Sequence, residues 1–491
     1  MLRQSLTRRN LLQLGAVGSW SLATGASSES HSAEMPPSEL FLVKPYVQLG
    51  DAPHLLPQEQ LEILWHSDNR APAWRVEWRV NGGVWNRGEE PRATTIATAG
   101  IPPHRVWQSR LSGLPPGERV EYQVVWEGTV VFAAAVRARP PRDRGYRCVV
   151  MGDCGTGSLG QRLIAARVHA EAPDLVMIPG DIVYNNGRIS EYRSSFFPVY
   201  SAHHTDPAAG APLLSSTLFL AGLGQHDTES NLQTQPDGFA YYYYWSQPRN
   251  GPVTNPDSPL AFPLAGTEAQ RQAFLQAAAG RYPCMSTFSC DFGNTHWTIL
   301  DTFNPHADWN SAPLRDWLRR DLAGAQNARW RFVCCYLPPF NSCRQYPQGE
   351  KMRAVTDLFE EYGVDLVFSG FAHSYQRTRP LRFRPDSTAP ERAADWNQQR
   401  PGDILQDRVF DGLRHTHPQG VIYIVTGGGG HPGLHGDEQT DAGASWQPFT
   451  VRYHARQNHF TVLEVQNERV ALRQMGADGS QIDSLLITRE G

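Results

Sequence analysis

Three segments of this chain run from an apolar stretch straight into a tight turn bearing polar side chains. They are Val149-Val150-Met151-Gly152-Asp153, Val176-Met177-Ile178-Pro179-Gly180-Asp181 and Val367-Phe368-Ser369-Gly370-Phe371-Ala372-His373. Each apolar stretch reads as a buried strand, and groups just past the carboxyl ends of strands in an open α/β sheet converge on a site. Asp153 and Asp181 are separated by the length of one β-α-β crossover, which sets their carboxylates side by side on adjacent parallel strands. Two carboxylates so placed need a proton or a cation between them. Tyr184 can turn back into the same pocket, and a phenolate with two carboxylates and the His373 imidazole is a hard, anionic donor set suited to ferric iron. Taken singly, each Gly-Asp reads equally as a turn carboxylate and Tyr184 as a packed loop tyrosine. Their combination is what points to a metal.

The order of the motifs carries a further signal. Gly152-Asp153-Cys154-Gly155, then Gly180-Asp181 with Tyr184, then Gly224-Gln225-His226-Asp227, then Gly370 to Arg377 with His373 and Tyr375, resembles the purple acid phosphatases, members of the calcineurin-like metallophosphoesterases. The resemblance extends through Trp317-Leu318-Arg319-Arg320-Asp321-Leu322 and Tyr423 to Gly430 over nearly all of the chain after its first residues. It implies that a first, ferric ion takes ligands from Asp153, Asp181, Tyr184 and His373, all of matching type. In the family a second metal shares the carboxylate matching Asp181 and adds an Asn and two His. The matching positions here hold Gln225, Tyr336 and Phe371. Gln225 can reach a cation through its carbonyl oxygen and Tyr336 as phenolate, so both stand as residual second-site positions, but Phe371 cannot bind a metal. The expectation is one iron per chain, with a degenerate site for the second, divalent ion.

His226 matches the family histidine that contacts the substrate phosphate and protonates the leaving group, which makes it the candidate general acid. With no second cation to clamp the phosphoryl group, Arg344 and Arg377 are candidates to bind phosphate through a bidentate guanidinium. A surface salt bridge is the competing use for either. The implied reaction is hydrolysis of a small phosphate ester, with the metal acidifying a bound water and His226 protonating the departing alkoxide. The alternative is a non-catalytic, metal-bearing protein that binds phosphate or an organophosphate. The degenerate second site is its support, and the open coordination positions leave redox chemistry as a third reading.

The elements that must position these residues follow from composition and pattern. With 491 residues, 40% hydrophobic, 19% charged, 43 Gly and 37 Pro, the chain is globular and long enough for two or three domains, not disordered, coiled-coil or collagen-like. Forty-five basic against 49 acidic residues, net −4, leave no electrostatic footprint for nucleic acid. Met1 to about Ala33 reads as a twin-arginine export signal, with Arg8-Arg9 ahead of a moderately apolar stretch and no acidic residue until Glu29. That predicts a periplasmic or secreted product with no stable membrane anchor. Seven cysteines without CxxC spacing argue against a cysteine zinc site, and Cys284 with Cys290 is the first guess for a disulfide.

Short β-rich runs punctuated by turns fill residues 41–137, predicting an all-β sandwich that the resemblance makes fibronectin III-like. This sandwich has no titratable cluster of its own, leaving packing, a homodimer contact or substrate positioning as its uses. A polar, Pro-bearing stretch over 137–144 marks the boundary. Residues 145–488 then alternate strands and helices, an α/β layering that the resemblance makes a metallophosphoesterase domain with four layers, α/β/β/α. Residues 201–260 and 380–418, rich in Pro, Gly, Gln and Ser, read as long ordered loops over a site or as mobile insertions.

Overall fold

Alternate residues are buried from Trp74 to Trp78 and from Val120 to Val124 within the strands Trp74–Val80 and Arg119–Trp126, as one-sided packing of a strand requires. These two strands are the centre of a four-stranded antiparallel sheet ordered Asn86–Arg87, Trp74–Val80, Arg119–Trp126, Thr129–Arg137. A second antiparallel sheet is ordered Val43–Gln48, Glu59–Asp68, Ile101–Leu114, Arg92–Thr98. The faces meet through indoles: Trp74 of the first sheet lies 5.5 Å from Trp65 and 6.3 Å from Trp107 of the second. The computed structural model describes residues 40–70, 73–346, 349–436 and 443–489, so the expected export signal lies outside the described residues. After the Asn81-Gly82-Gly83 turn the sequence points to a strand at Val84-Trp85, but pairing resumes only at Asn86. Val84 is left 85% exposed, and Trp85 instead stacks under the Arg79 guanidinium at 4.5 Å.

Beyond the polar linker two larger sheets pack face to face. The first is ordered Leu218–Ala221, Leu175–Ile178, Tyr146–Val150, His459–Val465, Arg469–Gly476, Gln481–Thr488, with its first three strands parallel. The second is ordered Phe288–Phe292, Thr295–Leu300, Trp330–Cys335, Leu366–Ser369, Ile422–Thr426, Tyr375–Thr378, Thr450–His454. The Trp297 indole of the second sheet donates to the Tyr146 hydroxyl of the first at 3.1 Å, and Thr461 donates to Thr426 at 3.1 Å. Helix Leu159–Glu171 links Tyr146–Val150 to Leu175–Ile178, starting at Ser158, whose hydroxyl accepts from the Gln161 amide. Helix Ala312–Gly324 covers the second sheet. Its Asp321 carboxylate accepts from Thr298 at 2.8 Å and from His296 at 3.1 Å. The result is β plus α/β, with helix, sheet, sheet, helix in the second part, and residues 37–491 form one compact unit. Among the described residues no helix is long and apolar enough to cross a membrane.

The linker is a structural joint. Arg139, fully buried, bonds Glu59 at 2.8 Å and the carbonyls of Ala52, His54 and Asp291. Asp291 in turn takes Arg142 at 2.8 Å and His296 at 2.9 Å. Burial works against a charged His296, but Asp291 and Asp321 outweigh it and raise the imidazole to about 9. The sign follows: the contribution, on the order of 3 kcal/mol, is fully present below pH ~6.5 and fades as pH rises through about 9. Urea unfolding of His296→Gln from pH 6 to pH 9.5 should therefore show a flatter stability profile than the parent. A parallel profile would exclude the charged imidazole.

Within the 201–260 segment, residues 211–248 pack mostly into the interior, and 201–209 and 254–260 lie at the surface. Tyr241–Tyr244 forms a helical turn whose four tyrosines are all buried. Tyr244 bonds His104 at 3.0 Å and its carbonyl accepts from Tyr46 at 2.7 Å, sealing the sandwich against the larger part. All seven cysteines are free thiols, which corrects the suggested Cys284–Cys290 pairing. Cys290 is buried within a strand, and Cys284 faces the Thr254 carbonyl instead.

Candidate metal centre

Tyr146–Val150 and Leu175–Ile178 pair in parallel, Leu175 opposite Cys148, so the turns after them enter one crevice side by side. Asp153 and Asp181 both adopt left-handed backbone, φ 59° and 52°, and are fully buried. Such a conformation costs an L-residue about 1–2 kcal/mol, least for Asp, and strain of this kind gathers at functional sites. Phe371 shares it at φ 70°. The ring cannot ligate, yet the Phe371 N–H donates to Asp153 Oδ2 at 3.1 Å, so its backbone still braces a carboxylate.

Asp153 Oδ1 lies 3.2 Å from Tyr184 Oη, 3.3 Å from His373 Nε2 and 3.3 Å from Tyr336 Oη. Tyr184 Oη is 3.4 Å from His373 Nε2. Asp153, Tyr184 and His373 thus present a near-equilateral triangle of donors. Ligands at ~2.0–2.2 Å from one ion stand roughly 3 Å apart along the edges of its coordination polyhedron, so the triangle has the size of one face. Among the described residues no three His, Cys, Asp or Glu side chains gather closely enough to hold an ion by themselves. The phenol of Tyr184 is what completes this set.

Charge and tautomer agree with a cation here. His373 Nδ1 faces the Gly433 carbonyl at 2.6 Å and must donate to it, which leaves Nε2 either a lone pair or a second proton against Asp153. Burial lowers the imidazole's basicity, but Asp153 outweighs it and raises His373, so a positive charge is favoured between the two. Burial, reinforced by the Asp153 charge, pushes Asp181 up to about 6. Burial and the same carboxylates push the Tyr184 and Tyr336 phenols well up, so a phenolate at Tyr184 requires a counter-cation.

The residues predicted for a second ion are otherwise engaged. Tyr336 donates to Asp181 Oδ2 at 2.6 Å. Its ring meets Phe371 at 5.5 Å and Phe303 at 6.3 Å, and Phe371 meets Tyr346 at 4.2 Å and Trp396 at 5.7 Å. Aromatic carbon therefore surrounds the outer side of Asp181. The Gln225 amide sits 3.0 Å from His226 Nε2, bonding the imidazole. Arg377 is buried in its strand with both guanidinium contacts on Asp483, at 2.7 and 3.3 Å, so it is committed to an internal ion pair. Arg344 stands exposed on the loop leading to Tyr346.

His226 does lie in the cluster, its backbone N–H on Asp181 Oδ1 at 2.9 Å and its ring 4.6 Å from that of Tyr184. Nδ1 faces the Asn185 carbonyl at 2.9 Å and so donates, which leaves Nε2 as the exchanging nitrogen. Three further residues, to which the motifs alone assign no role, join the cluster. Asp227 welds the turns together, its buried carboxylate accepting from Ile182, Val183 and Gly224 N–H groups. His431 and His435 flank His373 at ring separations of 4.1 and 4.2 Å. The Gly433 N–H donates to His431 Nδ1 at 3.0 Å, fixing its proton on Nε2. The signal for both was their place just past the Gly427 to Gly430 run.

Glycine is required where these turns touch. A Cβ on Gly224 would sit 2.2 Å from Asp181 Oδ1 and from its backbone nitrogen. Gly224→Ala should therefore lower metal affinity by roughly tenfold or more, as loss of a supporting contact does. Titration of the metal-free variant checks it, and unchanged affinity would mean the turn yields freely.

Residues 146–375 match the family model for calcineurin-like phosphoesterases. Purple acid phosphatase 21 of Arabidopsis thaliana is 30% identical over 370 residues, covering 72% of this chain and 73% of the relative. Purple acid phosphatase 15 of the same plant is 24% identical over 302 residues, covering 58% of this chain. The chain spans about half the length of several curated relatives it matches, 45% in that case. Among solved structures, the purple acid phosphatase PPD1 of yellow lupin (Lupinus luteus) superposes with a TM-score of 0.61 at 17% identity, covering 91% of this chain and 74% of that one, which speaks to the fold. With the motif order and the strand-end cluster, these matches establish that the chain belongs to the purple acid phosphatase family.

Proposed function

We propose that this chain is an exported, metal-dependent phosphoesterase of the acid phosphatase type that hydrolyses small phosphate esters with one ferric ion. The observation that carries the proposal is the donor triangle of Asp153, Tyr184 and His373 beside Asp181, whose other face is taken by the Tyr336 phenol. When bound, the ion supplies a Lewis acid and an acidified water.

The chain's own groups supply the rest. Asp153, Asp181, Tyr184 and His373 hold the ion, and Phe371 N–H and Asp227 keep the carboxylates in place. His226 Nε2 carries the proton for the leaving oxygen once it gives up the N–H it accepts from the Gln225 amide. His431 Nε2–H offers a neutral donor to a phosphoryl oxygen on the Tyr184 side, its ring 4.8 Å from that of Tyr184. Tyr336 and Phe371 keep water from the outer side of Asp181. The twin-arginine stretch at residues 1–33 supports export to the periplasm or medium of a protein already folded around its metal.

Loss of His226 should cost kcat about 10²–10⁴-fold for an alkyl phosphate and far less for p-nitrophenyl phosphate, whose leaving group needs no proton. Equal losses on both esters would remove His226 from the acid role. The bond from Tyr336 to Asp181 also favours a second reading, a binding protein that holds phosphate without turnover. Assays of aryl monoester and diester across pH, with iron, zinc or manganese supplied, decide between them. Metal-dependent turnover abolished in Asp181→Asn supports the enzyme, and bound iron with no turnover supports the binder. A visible absorption band that disappears in Tyr184→Phe is the expected mark of ferric phenolate.

A further inference from the structure

A cavity of about 550 Å³ opens beside the centre, lined by Thr228, Phe262, Phe303, Pro305, Arg392 and Trp396 among others. Its volume suits a small organic group. Thr228 belongs to the same turn as His226 and donates to the Gln225 carbonyl at 3.0 Å. Through Thr228 the cavity adjoins the turn that carries His226. Phe303 and Trp396 stand nearly parallel, centroids 6.2 Å apart with 25° between planes. Behind them Tyr336 and Phe371 continue the aromatic wall to Asp181.

The walls are built, not incidental. The Phe303 and Asn304 N–H groups both donate to Asp301 Oδ1 at 3.2 Å, and the buried Lys351 ammonium donates to the carbonyls of Thr302 and Asn304 at 2.9 and 3.2 Å. Opposite, the Trp396 loop is tied down through Ala393, whose N–H donates to Asp308 and whose carbonyl accepts from Trp309. Arg392 reaches Asp308 at 3.5 Å while remaining largely exposed at the mouth. With Phe262, Phe303 and Trp396 among its walls and the charges of Arg392 and Asp395 beside them, the cavity rewards a flat apolar group and gives a short alkyl chain little.

We propose that this cavity is a leaving-group subsite for esters whose alcohol or phenol carries an aromatic ring, packed against the Phe303 and Trp396 pair with the phosphoryl group at the metal centre. The inference deepens the phosphoesterase reading and rests on it for the orientation of the ester.

Binding tests it without turnover. Calorimetric titration of the metal-loaded full chain with benzylphosphonate and with methylphosphonate should give a benzyl affinity at least about tenfold higher. Trp396→Ala and Phe303→Leu, each checked for a parental melting temperature, should bring the ratio near unity while methylphosphonate affinity holds. Equal wild-type affinities, or a benzyl preference that survives Trp396→Ala, would overturn the subsite whatever the activity. A chain that prefers benzylphosphonate but hydrolyses no ester would keep the subsite and lose the phosphoesterase reading.

Discussion

Replacing Asp153 with Asn should strip the chain of its metal, with affinity falling by more than about 100-fold and turnover of any phosphate ester falling to background. Even supporting residues outside a metal's direct ligands are worth 10–100-fold, and Asp153 is the vertex where the donor set meets. Its Oδ1 faces Tyr184, Tyr336 and His373, while Oδ2 accepts the Phe371 N–H. An amide cannot serve both sides, since its NH₂ would oppose the Phe371 donor in one orientation and in the other would point at the cation in place of a ligating oxygen. Cβ atoms cannot be added nearby to absorb a shift, because one on Gly370 or Gly427 would lie 2.6 or 2.8 Å from Oδ2. The metal-dependent rise in melting temperature should vanish in Asp153→Asn while the metal-free protein stays folded, its carboxylate repulsion with Asp181 relieved. A variant that keeps its metal would show that Asp153 is not a ligand.

The second large effect concerns the joint between the two parts. Arg139→Met should cost about 3–5 kcal/mol of stability, the range for breaking a buried ion pair from one side. The guanidinium and the Glu59 carboxylate are both buried, 2.8 Å apart, and three carbonyls accept the remaining donors. Methionine fills much of the volume but leaves Glu59 with no counter-charge. Adding Glu59→Gln should return part of the loss, because the orphaned charge and not the missing pair carries most of it. Urea midpoints of the parent, both single variants and the double variant test this. A single-variant loss below 1 kcal/mol would show that the joint is solvated.

The parts of the site that were legible in sequence are those written into one strand end. Asp153, Asp181 and His373 each follow an apolar strand; the register of adjacent parallel strands sets the first two side by side, and His373 arrives from the facing sheet. The left-handed backbone of Phe371 leaves no such trace, because a bulky aromatic is an outlier at positive φ, whereas Asp153 and Asp181 are of a type that tolerates it. Arg377 reads as a free guanidinium until the last strand brings Asp483 to it from over a hundred residues away. Tyr336 reads as a position where the family resemblance would place a histidine, but its bond to Asp181 depends on a strand order that spacing alone does not reveal. Trp396 lies in a Pro- and Gln-bearing loop without periodicity, so its place against Phe303 is purely tertiary. His431 and His435 arrive beside His373 only through the course of the loop that follows the glycine run.

The number of ions per chain bears most directly on the proposed centre. The purified full-length protein, loaded with iron and zinc together and desalted, should carry one iron and no zinc by elemental analysis, with anomalous scattering placing that ion against Asp153, Asp181, Tyr184 and His373. Two ions per chain about 3.5–4 Å apart, as in two-metal enzymes, with Tyr336 turned away from Asp181, would contradict it.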